Sequence, residues 1–517
     1  MTGVVLMEAS PISSGHLQFL NQFWWSLFIL VPMVLIARTV VTGTRYSPIL
    51  IIVIFGLLMG FVLVSSGVST AGLPDFPLLN ILSRTTIVAL GATFFVGGQQ
   101  LRRVFSKNSV PQDDSVIYCT DEVVLGTGRT QFVFIIRAFF LLLGIEALTK
   151  YLLGIPPNDE LGRFYPLIAY LGLVISIILI DNRAVIDDRR AYLGRGLIEI
   201  AGLVVILVVA YEISLSVRPF IALPQIFFVM IISSGLGMLF YRQKHGPAVR
   251  CLLFAGIPII LAANFLVGGS LISGTLAIPG IAPTLMYGFF GQILWMFGGI
   301  AALMLLANTA SVRNLAPGMA GALSHAGLTG ACTAGDLGEE AAHRAPVMIN
   351  IPFFGHIFVF SLLALSLENG GLLVMPVALV GLMGLGLSLL AFRTIRRSGG
   401  EERQEVTGLM LFSLGWQLTA VFVGLLLLAG QPLAFAALAK SAALSHFGLF
   451  AAIQGGMFGA EAAALIAFVF AMPFLVHPFV FFLFGRAMEK NGEMPRMPVY
   501  ALAGVGLAGV LYGLFWM

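Results

Sequence analysis

Residues 322–360 read ALSHAGLTGACTAGDLGEEAAHRAPVMINIPFFGHIFVF, and residues 443–481 read ALSHFGLFAAIQGGMFGAEAAALIAFVFAMPFLVHPFVF. Laid over each other without a gap, at an offset of 121, they are identical at 18 of 39 positions. Trp295 and Trp416 match at the same offset, so the relation extends upstream into the preceding apolar helix. A histidine- and glutamate-bearing phrase written twice in so apolar a chain is the feature from which the fold is read.

The surrounding composition sets the solvent. Of 517 residues, 59% are hydrophobic and 10% charged, against about a quarter charged in a soluble domain. Mean hydropathy is +0.99, which makes a bilayer the solvent of an all-α polytopic protein. The net charge of +4 fits loop bias toward one face and not nucleic-acid binding. Cys119, Cys251 and Cys332 form neither a disulfide framework nor a CxxC metal pattern. The first residues lack the basic segment of a signal peptide, so the first helix is expected to stay in place.

Apolar runs long enough to span fall at 22–41, 48–68, 84–101, 130–149, 164–181, 196–216, 221–241, 249–268, 284–307, 346–367, 371–392, 407–430, 459–485 and 497–516. About 14 transmembrane helices are therefore expected. Segments 315–340 and 434–456 are rich in Gly, Ala, Ser and His, too small and polar for ordinary lipid-facing helices. Basic residues cluster after alternate runs: Arg38 and Arg45, Arg102 and Arg103, Arg189 and Arg190, Arg242 and Arg250, Arg313 and Arg344, Arg396 and Arg397, Arg486 and Lys490. The loops between are poor in them, so the first set is cytoplasmic and both termini lie outside. That count holds only if neither small-residue segment makes a net crossing. Each is expected to be re-entrant or broken.

Equivalent points of the two copies are then separated by three spans. Three is odd, so the copies point oppositely, as inverted-topology repeats. The expected units are 1–245 (seven N-terminal helices), 246–369 (first repeat, with 315–340), 370–490 (second repeat, with 434–456) and 491–517 (a last helix). No separate soluble domain is expected.

The polar residues of the duplication are the candidate site. An ionisable group inside a membrane is costly, and histidine titrates near neutral pH. Ser324, His325, Ser445 and His446 are the expected substrate contacts, with exposed carbonyls of Gly327–Gly335 and Gly448–Gly456. Glu340 and Glu461 each precede an apolar helix, where a carboxylate either serves the macrodipole or holds a coupling ion; with Asp181 they are the candidate ion-coupling groups. Asp336 and Glu339 have no duplicate. His356 and His477 lie ~24 Å along a straight helix from those glutamates. Each follows a Pro-Phe pair, so a structural reading is favoured for both. Arg313 or Arg344 is placed either to attract an anion or to anchor a cytoplasmic end. Arg137 and Glu146, nine residues apart, cannot pair along one helix face, so their partners are sought on other helices.

Within 48–107, IFGLLMG (54–60) is followed by VALGATFFVGGQQLRRVF (88–105), and the second phrase resembles the apolar–Gly–Leu–Arg pattern that ends an early helix in monovalent cation:proton antiporters. That resemblance implies an inverted-repeat fold with crossed broken helices. The family usually opens a later helix with a membrane aspartate; the comparable stretch here, GRGLIEIAGLVVIL (194–207), carries Glu199 instead. The layout of opposed re-entrant segments is also similar to sodium-coupled carboxylate transporters.

The expectation is a secondary active transporter of a small ion or organic anion, coupled to H⁺ or Na⁺ by alternating access. It is not expected to be an enzyme, and with no Walker A pattern it is not expected to hydrolyse ATP. No cofactor is expected beyond Na⁺ or H⁺ as coupling ion. The partners are the bilayer, the substrate and, compatibly, a second copy in a homodimer, in the inner membrane of a prokaryote. The alternatives are a membrane electron-transfer subunit with histidine-ligated haem or metal, and a passive channel.

Overall fold

The computed structural model describes residues 14–42, 44, 46–67, 76–106, 128–155, 160–178, 189–220, 225–243, 245–277, 279, 281–323, 328, 331–332, 337–350, 375–427 and 466–515. These are nearly all helical, with no strand among them and one isolated antiparallel bridge, Ser311 to Glu493. Among the described residues ten helices are long and apolar enough to cross a membrane, and two shorter apolar ones accompany them (Leu161–Ile177 and Gln225–Leu239). The chain is an integral, all-α membrane protein. The expected spans at 346–367 and 459–485 fall partly outside the described residues, as do 324–327, 329–330 and 333–336 of the segment 315–340 and all of 434–456.

The N-terminal half holds α1 (Ser14–Val41), α2 (Pro48–Ser65), α3 (Pro77–Arg84), α4 (Thr86–Phe105), α5 (Gly128–Leu152), α6 (Tyr165–Ile178), α7 (Arg189–Val217) and α8 (Gln225–Leu239). Then α9 (Pro247–Cys251) runs through one π turn, Leu252–Gly256, into α10 (Ile257–Leu276). This composite span is almost wholly buried and forms the centre of the molecule. Lipid tails are as apolar as leucine, so helices here associate by close packing, and small residues permit it. A Cβ on Gly60 of α2 would overlap the Leu266 carbonyl of α10, and one on Gly98 of α4 would overlap the Ser234 carbonyl of α8. The contacts of α4 with α8 advance together, Gly91 near Val229 and Gln99 bonded to the Phe240 carbonyl, so these two helices are parallel. That agrees with the basic clusters found after both.

The C-terminal half holds α11 (Ile281–Leu306), α12 (Val312–Leu323), α13 (Glu339–Asn350), α14 (Met375–Arg397), α15 (Glu402–Leu427), α16 (Ile466–Glu489) and α17 (Arg496–Phe515). Adding 121 to both bounds of α11 gives those of α15, and the start of α14 maps onto the start of α17. α11 packs on α17, and α15 on α14. The register is shared. Tyr287 and Leu294 meet Gly513 and Gly506, while their counterparts Gly408 and Gly415 meet Ala391 and Ser388. With the copies reckoned by these matched bounds, from α11 to α14 and from α15 to α17, each places its first helix against the last helix of the other.

Helix direction follows from contacts. A five-residue link joins α11 to α12, and Gly299 lies against Met319, so these two are antiparallel. α12 and α15 advance together: Arg313 meets Glu405, Gly318 meets Leu409 and Gly321 meets Ser413. α11 and α15 therefore run in opposite directions. Every residue of α12 from Asn314 to Leu323 is buried. The start of the first small-residue segment is thus a helix enclosed by protein, as its composition demanded of something unsuited to lipid.

Candidate functional site

Polar groups converge where α4, α8 and α13 meet. α4 is buried along most of its length, so Thr93, Gln99 and Gln100 have no access to water. Gln99 donates from Nε2 to the carbonyls of Phe240 (2.9 Å) and Gln243 (3.2 Å), just past the end of α8. One turn away, Ser234 of α8 donates its hydroxyl to Asn350 Oδ1, at the last residue of α13. Gly98 makes that three-helix meeting possible, because any side chain there would collide with the α8 backbone.

Two amides in this interior have no hydrogen-bond partner among the described residues. Neither amide atom of Gln100, and neither of Asn264 near the middle of α10, is hydrogen-bonded among the described residues. Leaving such a group dry and unpaired costs ~1–3 kcal/mol. Carboxamides that both donate and accept suit a polar solute, an ion carrying part of its water shell, or bound water.

A second polar group ties the two copies together at one end. Arg344 of α13 donates to Glu405 of α15 at 2.9 Å and to Asn314 Oδ1 of α12. Arg313 of α12 bridges Glu405 (3.5 Å) and Glu340 (3.3 Å). The inner pair is almost closed to solvent, with side-chain exposures of 7% for Arg344 and 9% for Glu405; Glu340 is 62% exposed. Glu340 thus stands in the first turn of α13 with a cation beside it, and both arginines have carboxylate partners. Offset by 121, Arg313 and Arg344 correspond to Ala434 and Leu465, and Glu405 to Thr284. The ion cluster belongs to one end only.

Glu199, the acidic residue in the stretch compared with the antiporters, lies on α7 and accepts from the backbone N–H groups of Gly246, Ala248 (3.1 Å) and Val249 (3.2 Å). It satisfies donors that open α9, which have no partner within the helix. Just before them His245 is buried against Phe95. Burial, and then the charges of Arg250 and Arg103, push its pKa down to about 3, so the ring is neutral.

Of the expected substrate-contact and ion-coupling residues, Glu340 alone lies in a described helix. Ser324, His325, Gly327, Gly335, Ser445, His446, Gly448, Gly456, Glu461 and Asp181 lie outside the described residues, as do His356 and Asp336. His477 is buried within α16 with its ring beside Phe481, 5.7 Å between centroids. Glu146 pairs with Lys150 on its own helix at 3.2 Å, so no other helix is needed for it; Arg137 lies over the Phe134 ring. Sequence reasoning missed Gln99, Gln100, Asn264 and Asn350. Their signal was an amide inside an apolar run, visible in GGQQ and in LAANF. The matched tryptophans do touch: Trp416 Nε1 donates to the Trp295 carbonyl at 3.0 Å, and the rings meet edge-on at 5.8 Å.

No three His, Cys, Asp or Glu side chains gather to hold a metal among the described residues. Comparison with protein-family models, with curated proteins and with solved structures finds no match to this chain.

Proposed function

We propose that the chain is a secondary active transporter that moves a small ion or organic anion, coupled to H⁺ or Na⁺, by alternating access. The observation that carries this reading is the exchange between the two copies. Helices with equal bounds run in opposite directions, and the first helix of each copy packs on the last of the other in the same register. Such an exchange is what an inverted repeat produces about a pseudo-two-fold axis in the membrane plane, the arrangement on which many carriers are built. Direct contact between Trp295 and its own counterpart Trp416 supports an axis passing close to both.

In this reading the small-residue segments 315–340 and 434–456 approach the midplane from opposite faces. Ser324, His325, Ser445 and His446 offer the substrate contacts, and Glu340, Glu461 and Asp181 the coupling groups. Gln100 and Asn264 extend the site, since buried amides without a partner among the described residues favour a transient polar occupant. The Arg313–Glu405–Arg344 cluster ties α12 and α13 to α15 at one end only, which biases the resting carrier to be closed there. The location that fits is the inner membrane of a prokaryote.

The test is a substrate screen in proteoliposomes under imposed pH and Na⁺ gradients, with wild type beside His325→Ala, His446→Ala and Gln100→Leu. Accumulation against a gradient that collapses with the driving ion, and is lost in the variants, supports the proposal. Flux that only equilibrates would favour a channel. A Soret band in the purified protein would favour electron transfer.

A further inference from the structure

The structure holds a cavity of about 490 Å³ between the ends of α11 and α14, lined by Leu306, Leu389, Phe392, Arg393, Arg396 and Arg397. We propose that it is a binding site for one anionic phospholipid, with the phosphate held by the three guanidinium groups. The argument needs the chain to lie in a bilayer and does not depend on what it transports.

The site is written along one face of a helix. Residues 382, 385, 389, 393 and 396 recur at intervals of three or four, so they line one side of α14. The first three are exposed leucines, 60%, 48% and 56% accessible, over two turns. The last two are exposed arginines, joined by Arg397. An apolar stripe that ends in a basic patch matches a lipid: acyl chain along the leucines, phosphate at the arginines. Leu306, half exposed at the end of α11, forms the opposite wall.

Among the described residues none of the three arginines forms an ion pair. Elsewhere at this end Arg313 and Arg344 have carboxylates and Arg403 lies over the Phe105 ring, whereas the arginines of the cavity stand together beside an apolar wall. The place of Arg396 and Arg397 in the last turn also complements the helix macrodipole, but that role needs no apolar cavity beside it. A basic pocket between helices at the membrane boundary is the form that recognition of an anionic headgroup takes. The apolar lining argues for a lipid over a soluble anion, because free phosphate gains nothing from Leu306, Leu389 or Phe392.

The test uses the full chain in neutral detergent, titrated with phosphatidylglycerol and, separately, phosphatidylcholine, and read by native mass spectrometry. The expected result is preferential retention of phosphatidylglycerol by wild type. Affinity should fall roughly fivefold per guanidinium removed, on the order of a hundredfold for Arg393→Gln, Arg396→Gln and Arg397→Gln together. Leu389→Trp, which fills the cavity and keeps every charge, should also lose the lipid; with the single Arg→Gln variants it decides the matter if the triple variant does not fold. Equal retention of both lipids, or unchanged binding in the triple or Leu389→Trp variant, overturns the proposal. So does displacement by inorganic phosphate at concentrations comparable to the lipid's.

Discussion

Replacing Glu405 by Gln should cost far more stability than replacing Glu340 by Gln, although both carboxylates meet the same arginine. Glu405 sits 2.9 Å from Arg344, with both side chains more than nine-tenths buried. Removing the carboxylate leaves the Arg344 guanidinium in a low-dielectric interior with the Asn314 amide oxygen as its main neutral partner. Breaking a buried pair in this way costs ~3–5 kcal/mol, most of it the penalty of the stranded charge. Arg313 and Glu340 are 38% and 62% exposed, and a pair of that kind contributes below ~1 kcal/mol and is screened by salt. Reversible unfolding in mixed micelles, followed by tryptophan fluorescence, measures both. The double variant Glu405→Leu with Arg344→Met removes both charges at similar volume and should recover most of the loss. If Glu405→Gln is as mild as Glu340→Gln, or the double variant is as damaged as the sum of its singles, the account of this cluster is refuted.

Glycine substitutions should separate by sign. Gly98→Ala pushes a methyl into the Ser234 backbone and should destabilise by ~1–3 kcal/mol or more, whereas Gly202→Ala meets nothing within 4 Å and should stabilise α7 by up to ~1 kcal/mol; both are read from unfolding midpoints. His245 should make the protein acid-sensitive. Its folded pKa of about 3 lies below the ordinary 6.5, so the unfolded chain takes up a proton that the folded one refuses, and stability present above pH 6.5 is lost as pH falls. The loss is about 2 kcal/mol between pH 8 and pH 5, and His245→Gln should flatten that slope; an unchanged slope would show that another group carries it. Trp416→Phe removes the bond to the Trp295 carbonyl and should cost ~0.6–2 kcal/mol in micelles, with a blue-shifted residual emission if Trp295 stays enclosed.

Much of this architecture is legible in the sequence because the bilayer enforces it. A span must satisfy its own backbone hydrogen bonds and present apolar side chains for ~30 Å, so a run such as 284–307 announces α11 to within a few residues. The 121-residue repeat is also a property of the string, and it reaches the structure as the matching bounds of α11 and α15. Basic residues after alternate runs anticipate the parallel course of α4 and α8, since charge resists crossing lipid.

Which polar groups meet is set by tertiary packing. Arg313, Glu340, Arg344 and Glu405 are spread over 93 residues of chain, and no spacing rule joins them; the crossing of α12 with α13 and α15 does. Gln100 and Asn264 read as isolated amides in apolar runs until burial shows them enclosed without a partner among the described residues. Hydropathy is a sum over neighbours along the chain, so it determines which segments enter the membrane. Partnership among the few polar side chains is set by helix crossings, and these depend on contacts between surfaces far apart in sequence.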